Sequence, residues 1–233
     1  AMYDRLLEHV GDDEDQKQLS VYLGQGGYEG LRRAVTMDPD AVIEEISTAF
    51  VRGRGGAAYP TGRKWGQLAR IDGSPKYVVC NADEGEPGTF KDQILLEKNP
   101  YSVIEGMTIA GRVFDSPKGI IYVRGEYPEE FGILRACLEQ AREAGLLGRG
   151  ILGIEGFDYD IDTVAGGGAY VCGENSAMLN SIEGKPGRPR IKPPHLAEVG
   201  LHGKPTLVNN VESSSWPTAA STTGTRARST AAA

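Results

Sequence analysis

The strongest constraint on the fold is a regular alternation of short apolar runs and longer amphipathic segments. Three runs rich in β-branched and aromatic residues occur at 76–80 (KYVVC), 120–124 (IIYVR) and 157–164 (FDYDIDTV). Segments with a helical period separate them at 99–114 and 128–145, each with a proline in its first turn. Strands joined through helices run parallel with right-handed crossovers. The sequence therefore predicts an α/β fold: an open, mostly parallel sheet with crossover helices, a Rossmann-like arrangement.

The two ends of the chain differ from this central part. Residues 1–25 are polar and are predicted to form an N-terminal arm, and residues 26–212 are predicted to form one α/β domain. Within that domain a helix is expected at 38–50, capped by the aspartate that opens it. Residues 213–233 contain only Trp216 as a large apolar side chain. Because such a segment cannot bury a core, we expect a disordered tail.

Net charge and cysteine content exclude several classes of function. The 233 residues carry a formal net charge of −7 and a pI near 5.1, which argues against a nucleic-acid-binding protein. The apolar runs are far shorter than the ~20 residues of a spanning helix, so no membrane insertion is expected. Cys80, Cys137 and Cys172 are widely separated and form no CxxC pair. We therefore expect a cytoplasmic, reducing compartment and no metal or iron–sulfur ligands within this chain.

Glycine and charged residues follow each of the three predicted strands. The segments are NADEGEPGTFKD at 81–92, RGEYPEE at 124–130 and AGGGAYVCGEN at 165–175. In open parallel sheets, ligands bind outside the carboxyl ends of the strands. We therefore expect these three loops to meet at one edge and to form a pocket with acidic groups and free backbone N–H groups.

A glycine-rich and arginine-rich loop, VRGRGGAAYPTGRKW at 51–65, is the most unusual segment of this acidic chain. Its Gly53-x-Gly55-x-x-Ala58 spacing matches a dinucleotide-binding fingerprint. That fingerprint must follow a strand and open a helix. Here a helix is predicted before the loop, and residues 60–62 (PTG) are expected to prevent a helix directly after it. The dinucleotide fingerprint is therefore disfavoured.

Two other interpretations of the loop differ in how they treat its charge. A P-loop is rejected, because five residues separate Gly56 from Gly62 where the motif has four, and Gly62 is followed by Arg63 and not by Lys and Ser/Thr. The loop can instead form an anion cradle, in which small residues expose backbone N–H groups and nearby cations add charge from Arg54, Arg63 and Lys64. A solvated surface turn explains the composition equally well, and the residues alone leave these two alternatives open.

Four motifs that occur in order resolve this ambiguity. They are GRGGAAYPTGRKW at 53–65, CNADEGEPGTFKD at 80–92, GAYVCGENSAMLNSIEG at 168–184 and KPPHLAEVGLHGKPTLVNNVE at 192–212. Together they resemble the FMN-binding flavoprotein subunit of bacterial respiratory complex I, which is the F-type subunit of NADH-quinone oxidoreductase, and its relatives in NAD-linked hydrogenases and formate dehydrogenases. The resemblance extends over residues 49–212. It implies an FMN site at which NADH gives a hydride to the flavin.

The resemblance implies a set of flavin-binding residues on all four motifs. Glycine N–H groups and a lysine suit a phosphate, and amide side chains suit the ring edge because they both donate and accept. The residues implied for FMN are Gly53, Arg54, Gly55, Gly56, Lys64, Asn81, Asp83, Glu84, Gly173, Glu174, Asn209 and Asn210.

The resemblance also implies residues for NADH, with Glu86 as the catalytic carboxylate that contacts the nicotinamide nucleotide. The full set is Tyr59, Glu86, Asn175, Lys192 and His195. Four positions depart from the family pattern. Tyr59 replaces a phenylalanine, which is a mild change, Asn175 replaces a glutamate, His195 replaces a phenylalanine, and Gln67 replaces an aromatic residue. Loss of a charge and of stacking surface predicts weaker NADH binding or a distinct branch of the family.

Full-length relatives carry a [4Fe–4S] cluster on further domains, for which this chain has no ligands. The resemblance implies iron–sulfur partner subunits in a larger oxidoreductase, located in the cytoplasm or peripherally at the inner membrane through that complex. The chain is expected to be a fragment or the product of an altered reading frame. The alternative function is a non-catalytic docking fragment that lacks its cofactor, and an ATP-type nucleotide binder is disfavoured by the P-loop spacing.

Overall fold

The computed structural model describes residue 7 and residues 17–222. Its single sheet has four parallel strands, β1 (Tyr77–Ala82), β2 (Lys118–Val123), β3 (Asp160–Ala165) and β4 (Thr206–Asn210), in the order β3-β2-β1-β4. The predicted open parallel sheet is confirmed. Strand β4 was not predicted from the sequence, because a threonine and two apolar residues followed by two asparagines, which are depleted in strands, give a weak strand pattern.

The register aligns the carboxyl ends of the strands. In the central strand β1, Asn81 lies opposite Tyr122 of β2 and opposite Asn210 of β4. On β3, Phe157, Tyr159 and Ile161 are all buried, as the predicted alternation requires, although the first two precede the paired strand. The loops that follow the strands therefore leave the sheet at a common edge.

Nine α-helices lie within residues 17–222: α1 (Leu19–Gly24), α2 (Glu29–Ala34), α3 (Pro39–Thr48), α4 (Thr61–Ala69), α5 (Lys91–Lys98), α6 (Pro100–Phe114), α7 (Pro128–Glu143), α8 (Asn175–Ile182) and α9 (Val211–Thr222). The larger apolar core lies between the sheet and helices that include α6 and α7, and a smaller core under α8 contains Val79, Met178 and Val208. The predicted cap of α3 is present, because the Asp38 carboxylate accepts from the Asp40 N–H at 2.9 Å. No helix within residues 17–222 is both long and apolar enough to cross a membrane.

Part of the predicted N-terminal arm is helical. Helix α1 falls inside residues 1–25, and the buried Glu105 carboxylate on α6 accepts from Tyr22 Oη at 2.6 Å, Tyr28 N at 2.8 Å and Leu31 N at 2.9 Å. Burial raises the pKa of Glu105, and the three donors oppose that shift. The arm prediction is therefore wrong for residues 19–24, since a tertiary contact orders this polar stretch. Residues 1–6 and 8–16 lie outside the described residues.

The predicted disordered tail begins with a packed helix. Helix α9 starts directly after β4, and Trp216 is only 6% exposed in the main core. An added Cβ at Gly106 of α6 would lie 1.8 Å from the carbonyl oxygen of Ser214, so the glycine permits the close approach of the two helices. The tail prediction is wrong for residues 213–222. The small serine side chains of α9 allow this helix to pack closely against α6, so large apolar side chains are not needed for its order. Residues 223–233 lie outside the described part of the chain.

The expectation that residues 60–62 prevent a helix is also wrong. Helix α4 begins at Thr61, directly after Pro60, a position in which the fixed φ of proline is compatible with a helix start. Gly62 packs against α3, where an added Cβ would lie 2.2 Å from Ser47 Oγ. The glycine therefore permits the contact between α3 and α4 and does not interrupt the helix.

We predict that Gly106→Ala lowers the free energy of unfolding by about 3 kcal/mol, because the new methyl group would overlap the Ser214 carbonyl and push α9 away from α6. Urea denaturation measures this change. The control is Gly132→Ala on the exposed side of α7, where no atom lies within 4 Å of the added Cβ. That variant should gain about 0.5–1 kcal/mol from its better helix propensity. Equal effects at the two glycines would contradict the proposed packing.

Candidate functional site

A cleft of about 810 Å³ opens at the carboxyl edge of the sheet. Three segments and two strand ends form it: the glycine loop at 53–59, the loop after β1, the turn at 170–175, and the ends of β1 and β4. The pocket expected at this edge is therefore present. The predicted residues that line it are Gly53, Arg54, Gly55, Gly56, Tyr59, Lys64, Asn81, Asp83, Glu84, Glu86, Gly173, Glu174, Asn175 and Asn210.

One of the three predicted loops does not line the cleft. Residues 124–127, after β2, lie behind the loop that follows β1, and the Arg124 guanidinium donates to the carbonyl oxygen of Glu84. The end of β4, the strand that the sequence pattern did not reveal, lines the cleft instead. The strand order explains this difference, because β4 lies beside β1 on the side of the glycine loop and β2 lies on the opposite side of β1.

The glycine loop is closed on itself and faces the cleft. Gly53 N donates to the Tyr59 carbonyl at 2.7 Å, and Arg52 and Pro60 form an antiparallel bridge. Gly56 has a φ of +98°, a conformation that favours glycine. The loop follows α3 and not a strand, as expected from the sequence, which disfavours the dinucleotide fingerprint. Its position in the cleft favours the anion cradle over a solvated turn.

Lys64 is the cleft cation that has no carboxylate partner among the described residues. It lies on α4, and its ammonium donates to the Val208 carbonyl at 2.8 Å. The nearby carboxylates of Asp92 and Glu212 form ion pairs with Arg54 and Lys91 instead. Burial lowers the pKa of Lys64. A partly buried ammonium without a counter-ion is stabilised by an anion placed beside it. Lys64 is therefore suited to hold an anionic group in the cleft.

A network of charged side chains supports the same end of the cleft. The buried Glu212 carboxylate faces Arg54 Nε at 3.3 Å and Lys91 Nζ at 3.8 Å, and Lys91 also donates to Asn210 Oδ1 at 2.9 Å. Burial raises the pKa of Asp92 to about 6, although the neighbouring Lys91 opposes the shift. Lys91, Asp92 and Glu212 were not predicted as site residues. Their position within the motifs at 80–92 and 192–212 was the available signal.

Asn81 connects the segments around the cleft. Its amide donates to the Gly173 carbonyl and to Asn175 Oδ1, both at 2.9 Å, and its oxygen accepts from Asp83 N at 3.0 Å. Asp83 Oδ2 is buried without a hydrogen-bond partner, and burial raises the pKa of this carboxyl to about 6. An unsatisfied buried oxygen at a cleft wall is an acceptor for a ligand N–H or O–H.

Two predicted flavin residues hold helices in place with their carboxylates. Glu84 accepts from the Asp92 and Gln93 N–H groups at the start of α5, at 3.1 and 3.2 Å. Glu174 caps α8 by accepting from Ser176 N and Ala177 N, both at 2.9 Å. Both side chains line the cleft, but their polar atoms have partners inside the protein.

Three predicted site residues do not line the cleft. Asn209 is buried beneath it and, in the orientation that satisfies both polar atoms, accepts from Trp65 Nε1 at 3.1 Å. The Lys192 ammonium pairs with Glu174 Oε1 at 2.9 Å on the exposed side. The His195 backbone N–H donates to Glu198 at 2.9 Å, and its side chain is away from the cleft lining.

The open lip of the cleft carries Glu86, Tyr59 and Tyr170. Glu86 accepts from Tyr170 Oη at 2.7 Å, and Tyr59 Oη donates to Gln67 Oε1 at 3.0 Å. Tyr170 was not predicted as a site residue, although it lies in the motif at 168–184. An exposed aromatic hydroxyl beside a carboxylate provides both a stacking surface and polar contacts for a ligand.

The described residues contain no group of three or more His, Cys, Asp and Glu side chains arranged to hold a metal ion. Cys80, Cys137 and Cys172 are all free and buried. Burial raises the pKa of Cys80 to about 12 and that of Cys137 to about 11. These two thiols therefore remain protonated at neutral pH.

We predict that Glu174→Ala lowers the free energy of unfolding by about 1–2 kcal/mol, because two N–H groups of α8 lose their acceptor. Lys192→Ala is the control: it removes only an exposed ion pair and should cost less than about 0.5 kcal/mol. Burial opposes ionisation of Glu174, but hydrogen bonds and Lys192 outweigh it and lower the pKa. The difference between wild type and Glu174→Ala should therefore shrink as pH falls through that pKa. A pH-independent difference in urea denaturation would contradict this role.

Comparison with known proteins agrees with the geometry. Residues 46–216 match the family described as the Nuo51 FMN-binding domain. The chain is 49% identical to the F subunit of NADH-quinone oxidoreductase from Aquifex aeolicus over 194 residues, which cover 83% of this chain and 45% of that protein. It is 50% identical to the alpha subunit of the NAD-reducing hydrogenase HoxS from Cupriavidus necator over 182 residues, covering 78% and 30%.

A solved structure shows the same fold. A chain of the NAD⁺-reducing [NiFe]-hydrogenase in the H₂-reduced state superposes with a TM-score of 0.78 and 36% identity, covering 92% of this chain and 35% of that one. This chain spans about half the length, or less, of the curated relatives that it matches. The chain belongs to the Nuo51 FMN-binding domain family.

Proposed function

We propose that this chain is a flavoprotein module that binds FMN in the cleft and accepts a hydride from NADH, as the electron-entry point of a larger oxidoreductase. The observation that carries the proposal is the cleft at the carboxyl edge, which is lined both by Lys64, whose ammonium has no carboxylate partner among the described residues, and by Asp83, whose Oδ2 has no donor. Its volume of about 810 Å³ lies in the range of small-molecule sites.

The residues present fit the two chemically different ends of FMN. Lys64, the glycine loop and the start of α9 at Ser213 suit the phosphate, since they combine a cation with backbone and hydroxyl donors. Asp83 Oδ2 suits a ring N–H, because it is an acceptor without a partner. Bound FMN would supply the two-electron acceptor that no side chain of this protein offers. Asn81 links the end of β1 to the turn at 170–175 through two hydrogen bonds.

The lip residues support NADH binding on the solvent side of the flavin. Glu86 and Tyr170 are both exposed and joined by one hydrogen bond, which a nucleotide can replace with contacts of its own. Tyr59 and Asn175 line the same cleft. Lys192 pairs with Glu174, which lines the cleft, whereas His195 lies outside the cleft lining.

The names of the relatives support a multi-subunit setting. The similar proteins are subunits of NADH-quinone oxidoreductase and of NAD-reducing hydrogenase. We therefore propose that electrons leave this module for iron–sulfur partner subunits of a cytoplasmic or peripheral complex. The described residues offer no cluster ligands of their own, and the step after the flavin is accordingly assigned to other polypeptide.

We predict that Lys64→Met weakens FMN binding by about 10- to 100-fold, the equivalent of one charge-assisted hydrogen bond. The matched control is Lys76→Met, because the Lys76 ammonium also donates to backbone carbonyls, those of Leu68 and Ala69, but lies outside the cleft. Quenching of flavin fluorescence measures both affinities. Absence of FMN binding by the wild type would favour the docking-fragment alternative, and equal losses in the two variants would remove Lys64 from the site.

We predict that Glu86→Gln slows anaerobic bleaching of the bound flavin by sub-saturating NADH about 10- to 100-fold, while the flavin spectrum stays unchanged. The reason is that the carboxylate lies at the open lip, beyond the residues that suit the flavin. Glu129→Gln, an exposed carboxylate on α7 outside the cleft, is the control and should reduce at the wild-type rate. A wild-type rate in Glu86→Gln would make Glu86 an ordinary surface carboxylate.

A further inference from the structure

The loop after β2 supports the cleft from behind. Arg124, its first residue, donates from Nη1 to the Glu84 carbonyl, and its backbone N–H donates to the Ala82 carbonyl at 3.3 Å. The same guanidinium binds the Glu126 carboxylate in a bidentate contact, through Nε at 3.0 Å and Nη2 at 2.9 Å. It also lies 5.1 Å from the centre of the Tyr127 ring. A single side chain therefore connects two loops at the sheet edge.

The segment held by Arg124 carries the polar groups of the cleft wall. It runs from Asp83, whose Oδ2 is buried without a partner, to Glu86 at the lip. The Glu84 carbonyl that receives Arg124 lies between them, and Gly85 N donates back to the Asp83 carbonyl at 3.0 Å. An arginine fixed by a carboxylate and a ring loses little further freedom when it binds a carbonyl. The contact is therefore suited to fix the conformation of the segment.

Arg124 and Glu126 also act on Asp83 through their charges. Burial is the main cause that raises the pKa of Asp83, Arg124 opposes it, and Glu126 adds to it. Burial also raises the pKa of the nearby Tyr122 phenol on β2 to about 12, and the Asp83 charge adds to that shift. Because Arg124 and Glu126 have opposite signs, their removal must shift the Asp83 titration in opposite directions. If Arg124 and Glu126 only packed against the loop, their removal would not be expected to shift the Asp83 titration in opposite directions.

We propose that Arg124 is a positioning residue for the candidate flavin site: it holds residues 83–86 through the Glu84 carbonyl and, in its pair with Glu126, places a cation at the residue next to Asp83. The part that concerns the flavin rests on the proposed function. The part that concerns Asp83 is a property of the protein without any ligand, so the two can fail separately.

The first test titrates Asp83 in the ligand-free protein. Carboxyl ¹³C NMR follows the Asp83 resonance, assigned by its loss in Asp83→Asn. The midpoint of the Asp83 titration should rise by about 0.5–1 pH unit in Arg124→Gln and fall by a smaller amount in Glu126→Gln. These shifts are at the low end for a close charge, because the charges of Arg124 and Glu126 partly neutralise each other. Arg135→Gln, which removes an exposed arginine from α7, should leave the midpoint unchanged. Shifts of the same direction in Arg124→Gln and Glu126→Gln, or none, would overturn the proposal.

The second test separates charge from geometry. Arg124→Lys retains the cation but not the planar fork, so the Asp83 midpoint should stay within about 0.3 pH units while amide exchange at Gly85 becomes several-fold faster. Circular dichroism verifies that each variant folds, and Glu126→Gln, an exposed substitution, keeps the charge test valid if Arg124→Gln does not fold. Unchanged exchange at Gly85 in Arg124→Lys would refute the positioning role.

The third test uses FMN as the probe. Affinity for FMN should fall as pH decreases through the Asp83 midpoint, because protonation replaces a charged acceptor for a ring N–H with a weaker neutral one. In Arg124→Gln this fall should begin at higher pH, by the same displacement as in the ligand-free titration. Opposite NMR shifts together with faster exchange at Gly85 in Arg124→Lys, but without any FMN binding, would support the positioning role and refute the proposed function. FMN binding whose pH dependence is identical in wild type and Arg124→Gln would refute the link to the flavin site.

Discussion

The parallel pairing of β1 with both β2 and β4 is the constraint on which the site depends. This pairing places Asn81 level with Tyr122 on one side and with Asn210 on the other. Chain segments that are far apart in the sequence therefore reach the sheet edge at the same height. The glycine loop then needs only to fold back over this edge, which its closure between Gly53 and Tyr59 accomplishes. Without the shared register the polar groups of the cleft would not face one cavity.

An acidic chain can hold an anion here because its acidic side chains are engaged elsewhere. Glu84 and Glu174 accept from helix N–H groups, and Glu212 lies between Arg54 and Lys91. Carboxylates at helix starts are favourable in themselves, so they support the walls without opposing a ligand directly. Lys64, in contrast, donates to a backbone carbonyl, which leaves its positive charge uncompensated. The distribution of partners, more than net charge, determines what the cleft attracts.

The sequence predicted the parts of the molecule that local patterns control. Alternating and β-branched runs located β1 to β3, and the positions of glycine and charge after them indicated the edge at which the cleft lies. It could not predict β4, whose short run ends in asparagine, or α9, whose serines become informative only beside Gly106 of a distant helix. Nor could spacing reveal that Glu84 and Glu174 cap helices, or that Asn209 faces Trp65, since each depends on the direction of a side chain in the fold.

Consecutive residues on α6 hold two remote parts of the protein. Glu105 receives the donors of Tyr22, Tyr28 and Leu31, and Gly106 admits α9, which in turn packs against α2. Opening of either end would leave a buried carboxylate or a helix face without its partner, so these helices should unfold as one cooperative unit and not fray separately. Since α9 begins at the wall of the cleft, the stability of that wall should depend on α1 and α2, which do not line the cleft.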